Sequence, residues 1–195
     1  MSMIIPLLVV GFFIGIHKVG AMMYQNPMVQ KSIQDQCVQA LMILTTIFYV
    51  YLTAKSVEPF DCLKLPDGRS VMDFNPSVEC TLLQGEYGVI SSVAGACFVI
   101  YGIGIPVSLF TLLTRAKQKN LMQDMSFIAR YGWLYIRYNR DFYYWEIIIL
   151  LRKLGLVLIQ MLQSQSPTGQ VQSTVGVLLA ALILHIRVRP YVCFD

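Results

Sequence analysis

This chain has little charge and almost no histidine. Only 13% of its 195 residues are Asp, Glu, Lys or Arg, against 56% hydrophobic residues, and its mean hydropathy is +0.59. That leaves too little polar surface for a water-soluble fold of this length. His17 and His185 stand at the ends of apolar runs with no sequence-local acid or nucleophile, so no catalytic triad or histidine metal site is legible. No histidine stands near Cys62 or Cys80, and two cysteines alone cannot complete a tetrahedral zinc site. No glycosylation sequon occurs, because Asn75 is followed by Pro76. Arg at every third position over several turns, the mark of a voltage sensor, is also missing. Neither an enzyme activity nor a cofactor is expected.

What the chain does have is long apolar runs. A hydrocarbon core about 30 Å thick needs roughly 20 apolar helical residues, because the backbone must hydrogen-bond internally. Spans are expected at residues 1–19, 36–54, 87–113, 144–161 and 171–186, the third without any charge. The expected fold is all-α: a polytopic transmembrane helical bundle of about five spans with a small disulfide-bearing outer loop. Its divisions are residues 1–57 with two spans, the loop 58–86, and 87–195 with the remaining spans and a basic amphipathic segment at 115–143.

Cations set the orientation, since short loops rich in Lys and Arg stay in the cytoplasm. With the N-terminus outside and the C-terminus inside, the outer side holds only Lys55, Lys64 and Arg69, while Arg152 and Lys153 fall inside a span. The other Lys and Arg, including Lys18, Lys31, Arg115, Lys117, Lys119 and Arg130, fall inside. The net charge of +4 therefore describes topology. A basic cytoplasmic face near anionic lipid is the simpler reading, and nucleic acid is not an expected partner. The first span has a signal peptide as its alternative, although its cations follow the apolar stretch rather than precede it. The chain is expected to be the membrane portion of a longer protein.

Turn signals at Pro66 to Gly68 and Asn75 to Pro76 make the outer loop compact. Cys62 and Cys80 are the two of five cysteines outside the membrane in this topology, and a disulfide between them is expected in an oxidising compartment. Two free thiols are the alternative. The loop's acidic residues either form an ordinary solvated surface or concentrate cations at a pore mouth. Cys193, on the inner side, is open to palmitoylation.

In the third span, Pro106 removes a backbone donor, so Gly102, Gly104 and Pro106 mark a hinge that serves either packing or gating. In the fourth, Arg152 and Lys153 lie about 10 Å deeper than Trp145. Either they pair with Glu146 or Asp141 as an intramembrane charge cluster, or they snorkel to the headgroups. Trp145, Tyr144 and the neighbouring tyrosines fit an aromatic belt. The apolar residues of 115–143 suit a helix lying in the interface, as a coupling element or a linker.

One pattern is more specific: Tyr131-Gly132-Trp133-Leu134-Tyr135-Ile136-Arg137-Tyr138, then Tyr143-Tyr144-Trp145-Glu146, then Arg152-Lys153. With the Cys62 to Cys80 loop, Gly104-Ile105-Pro106 and Arg189-Pro190-Tyr191, it resembles the membrane region of large protist and algal surface proteins related to transient-receptor-potential (TRP)-like channels. Over residues 60–191 the layout is also similar to fungal TRP-like proteins. No pore helix or selectivity-filter sequence accompanies it. The resemblance implies a multi-pass membrane portion, in a plasma or ciliary membrane, that takes part in cation transport or sensing. It also implies partners in other membrane subunits or an extracellular assembly. A non-conducting anchor or scaffold is the alternative.

Overall fold

The protein is described by a computed structural model over residues 27–81 and 85–191, so the expected first span and Cys193 lie outside the described residues. The described chain divides into two compact units. One comprises residues 27–48, 110–146 and 190–191; the other comprises 49–81, 85–109 and 147–189.

Helix α1 (Pro27–Val57) covers the expected second span and supplies both units. Its hydroxyl side chains are kept out of apolar surroundings by their own backbone. Thr45, Thr46, Thr53 and Ser56 donate to carbonyls three or four residues earlier at 2.7–2.8 Å, so no buried hydroxyl is left unpaired. Helix α2 (Gly85–Phe98), a π-helical turn (Val99–Gly104) and helix α3 (Ile105–Gln118) follow one another directly in sequence, the π-helical turn interrupting the α-helical pattern. Helix α5 (Trp145–Leu162) and helix α6 (Pro167–Val188) are joined by a short turn, with Pro167 at the first helical position, where its missing N–H costs nothing.

Three helical stretches among the described residues, Met28–Phe60, Gly85–Gln118 and Pro167–Val188, are long and apolar enough to cross a membrane. Helix α5 matches the expected fourth span in position but carries Glu146, Arg152 and Lys153 within its 18 residues. On α6 none of the apolar window is buried, and Leu178, Leu182 and Ile183 stand exposed, which is tolerable where the solvent is hydrocarbon.

The segment after α3 is not the single interfacial helix its composition suggests. Asn120 adopts a left-handed conformation (φ 54°), which Asn tolerates and which ends α3. Asp124 then caps a short helix, α4 (Met125–Tyr131), by accepting the Ser126 N–H at 3.2 Å. Tight 3-10 turns at Gly132–Leu134 and Arg140–Phe142 complete the path to α5. Leu113, Leu134, Tyr135, Tyr138 and Trp145 form the core of this first unit.

The second unit holds the region's only regular strands among the described residues, β1 (Cys62–Lys64) and β2 (Ser70–Met72), paired antiparallel with Cys62 opposite Met72. Pro66 opens a turn closed by Gly68 N–H to Leu65 O at 3.0 Å, with Gly68 at φ +85°. Pro76 sits in a second turn, closed by Val78 N–H to Asn75 O at 3.0 Å. Both turns fall where the proline signals put them. Tyr49, Leu52, Val57, Met72, Leu109 and Leu150 are among this unit's buried apolar residues.

Candidate functional site

Two of the three pieces of the aromatic pattern, residues 131–138 and 143–146, belong to the first unit, whereas Arg152 and Lys153 belong to the second. Tyr131 and Tyr135 both lie against the Phe127 ring, at centroid distances of 4.9 and 6.1 Å. Gly132 is closely approached here: a Cβ would come within 2.6 Å of the Ile136 Cδ1 methyl and 3.3 Å of Ile128, so Ile136 would have to shift to admit one. Tyr135 donates its hydroxyl to Met122 O at 2.9 Å, and Tyr138 donates to Glu146 Oε2 at 2.7 Å. Pro190 and Tyr191 complete the cluster. The Asn139 N–H donates to Pro190 O at 2.8 Å, Tyr138 and Tyr191 form an isolated antiparallel bridge, and their rings are 5.3 Å apart.

Burial raises the Tyr138 phenol above its ordinary pKa, and the Glu146 carboxylate beside it adds to the rise, so Tyr138 stays a donor. Burial alone raises Tyr135. Trp145, Tyr135 and Tyr138 are therefore packed inside protein, not displayed as a belt, while Tyr144 stacks edge-on against Tyr143. A rigid aromatic with a polar tip serves a buried node well because both its face and its hydroxyl find partners.

A cavity of about 660 Å³ opens beside this node, lined by Lys117, Asn120, Tyr135, Asn139, Arg140 and Tyr143 among others. Lys117 Nζ lies 4.4 Å from the Tyr143 ring centroid. Lys117 and Arg140 are the charged residues of its lining.

The pairing expected for Glu146 is corrected. Its carboxylate takes the Tyr138 hydroxyl, and neither Arg152 nor Lys153 is in an ion pair among the described residues. Seven residues along a helix separate Glu146 from Lys153 by roughly 10 Å, too far for contact when a tyrosine is within reach. Arg152 is exposed and Lys153 half-buried.

In the second unit, the Gly102, Gly104 and Pro106 cluster coincides with the π-helical turn. Pro106 has no N–H to give to Gly102, four residues earlier, and the Gly102 carbonyl accepts the buried Tyr49 hydroxyl at 2.8 Å. A Cβ at Gly102 would lie 3.0 Å from the Phe98 ring, so the ring would have to give by a few tenths of an ångström to admit one.

Cys62 and Cys80 form a disulfide, with Cα atoms 6.4 Å apart. Below it, a 170 Å³ cavity is lined by Glu58, Asp61 and Asp73. Glu58 pairs with Lys55, and Asp61 accepts the Ser164 hydroxyl at 2.8 Å. No group of three or more His, Cys, Asp or Glu is arranged for a metal ion among the described residues.

The family model for the transient receptor potential (TRP) ion channel matches residues 38–193, which takes in the loop, the π-helical turn and the whole aromatic node. The chain belongs to the TRP ion channel family. This is a channel family and not an enzyme family, and with three membrane-length apolar helices the protein is a TRP-like membrane protein. It is similar to Cysteine repeat modular protein A of Toxoplasma gondii, at 26% identity over 160 residues. That alignment covers 76% of this chain but only 5% of the relative's length. No solved structure matches.

Three residues of these sites escaped sequence reasoning. Tyr49 gave no signal, since a tyrosine in an apolar run is unremarkable until Pro106 frees a carbonyl opposite it. Asp35 and Arg130 form a partly buried ion pair in the first unit across 95 residues of sequence. An acid near the start of a span is a detectable signal, but only the fold supplies its partner.

Proposed function

We propose that this chain is the membrane portion of a TRP-like surface protein that takes part in cation transport or sensing. Family membership across residues 38–193 carries the reading, and the π-helical break within a membrane-length helix supports it, since such breaks concentrate where helices must bend. The Toxoplasma gondii relative is, by its name, a cysteine-repeat modular protein, of whose length the alignment covers 5%, which favours the membrane portion of a larger modular protein; a plasma or ciliary membrane is the setting this reading proposes.

In this reading the N-terminus is outside and the C-terminus cytoplasmic. The disulfide loop then faces an oxidising compartment, and the basic 115–143 segment faces the cytoplasmic leaflet. Anionic lipid is the partner suited to Lys117 and Arg140, which border the cavity without a carboxylate. Neighbouring subunits or an extracellular assembly are the other partners, and α6, on which no residue of the apolar window is buried, offers a surface for the former.

The test is a current. Purified chain reconstituted in planar bilayers should carry cation current, and substituting Tyr49→Phe at the π-helical turn should change its gating. A chain that is inserted yet silent under every ion, voltage and lipid condition tried would overturn conduction and favour the scaffold. Orientation is tested separately: an impermeant thiol reagent on intact cells should label Asp67→Cys and spare Lys117→Cys.

A further inference from the structure

The chain leaves α6 through Arg189, whose φ of 44° and ψ of 62° put a residue with a full side chain in the left-handed region. There its Cβ crowds the following carbonyl oxygen, so neighbouring structure must hold it in place. That structure follows at once. Pro190 is fully buried and accepts the Asn139 N–H, and Tyr191 pairs with Tyr138. Tyr138 and Glu146 are themselves only 5% and 9% exposed. One tyrosine ring is thus held at one side by the segment after α6 and at its hydroxyl by the first turn of α5. In that first turn, backbone N–H groups lack helical partners and a carboxylate is favoured by the helix dipole, so Glu146 is well placed to anchor the helix start.

We propose that Pro190 and Tyr191 form a latch on α5: docked on Tyr138, they keep its hydroxyl on Glu146 and fix the start of the helix, and undocked they release both. A close-packed node changes between discrete arrangements and does not deform continuously, so displacing Tyr191 uncovers Tyr138 as a unit and lets Arg189 relax. A binding event or a pull on the chain after Tyr191 would therefore act on α5, whether or not the protein conducts. The inference is a coupling, and coupling is measured by combining substitutions.

Amide hydrogen exchange on the whole chain in phosphatidylcholine nanodiscs reads it out. Tyr191→Ala should speed exchange of the Asn139 and Phe142 amides and of residues 149–152 in α5 by roughly tenfold, whereas Tyr191→Phe, which keeps the ring, should not. Tyr138→Phe keeps the packing and removes the hydrogen bond. It should speed exchange in α5, and by reciprocity at Arg189, and Tyr191→Ala added to it should change α5 little further. The latch is overturned if Tyr191→Ala acts only on residues 186–191, or if the two substitutions multiply independently at α5. Should Tyr191→Ala fail to fold, Tyr138→Phe alone decides: an unchanged Arg189 amide refutes the coupling.

Discussion

The disulfide loop and the 119–146 segment both connect helices through short turns, and they are held by opposite means. The loop has two three-residue strands, a few buried apolar residues in Val71, Met72 and Val78, and charged side chains in water. Its cross-link, Cys62 to Cys80, does what a core of that size cannot. The 119–146 segment has no cross-link. It is held by buried aromatic rings and by polar pairs that are buried, as Tyr138 to Glu146 is, or partly buried, as Tyr135 to Met122 and Arg130 to Asp35 are. A hydrogen bond or ion pair is worth more where water cannot compete, and costs more when broken. A covalent staple suits an exposed loop with little core, and the 119–146 segment has buried rings and polar partners in its place.

The sharpest way to break this comparison is to remove the staple. Replacing Cys62 and Cys80 together by Ser should cost about 3 kcal/mol by loop-closure entropy and open residues 65–76 to proteolysis. A doubly substituted chain with unchanged melting and unchanged cleavage would show that the small sheet holds the loop by itself. The matching blow to the node is Asp35→Ala, which leaves Arg130 buried on most of its surface without its acid. Because the Arg130 side chain is 33% exposed, water offsets part of the loss, and about 1.5 kcal/mol of thermal stability should go. An effect as large as that of the disulfide would mean that Arg130 is less solvated than its exposure implies. The smallest effect is expected at Arg69, whose hydrogen bonds to Asp67 and Glu79 lie in water and raise its pKa. Arg69→Ala should leave melting unchanged, and a measurable drop would put the exposed ion pairs among the forces that hold the loop.

Local chemistry was legible where it depends on neighbours in sequence. Pro66 and Pro76 announced their turns, Pro106 and its glycines announced the break between α2 and α3, and Cys62 and Cys80 were paired correctly because few cysteines compete. Glu146 went wrong for a matching reason. Read along the helix, its nearest opposite charges are Arg152 and Lys153; read in space, a neutral tyrosine from the preceding turn is closer and already oriented. The 115–143 segment misled in the same way, since its composition suits an interfacial helix while Asn120 and Asp124, both cap residues, divide it.

By itself the sequence determined that the chain is helical and membranous, that one loop is cross-linked, and where its longest charge-free helical path breaks. Hydrophobic run length, proline chemistry and thiol pairing are properties of short stretches, and no fold is needed to read them. Only the tertiary structure decided that Tyr49 reaches the Gly102 carbonyl, that Asp35 meets Arg130, and that Tyr138 joins Glu146 to Tyr191 while Asn139 meets Pro190. Each of those contacts links residues on different elements, and which polar groups meet depends on how apolar faces pack. Packing is blind to polarity until a donor and an acceptor are buried together, and then it must satisfy both.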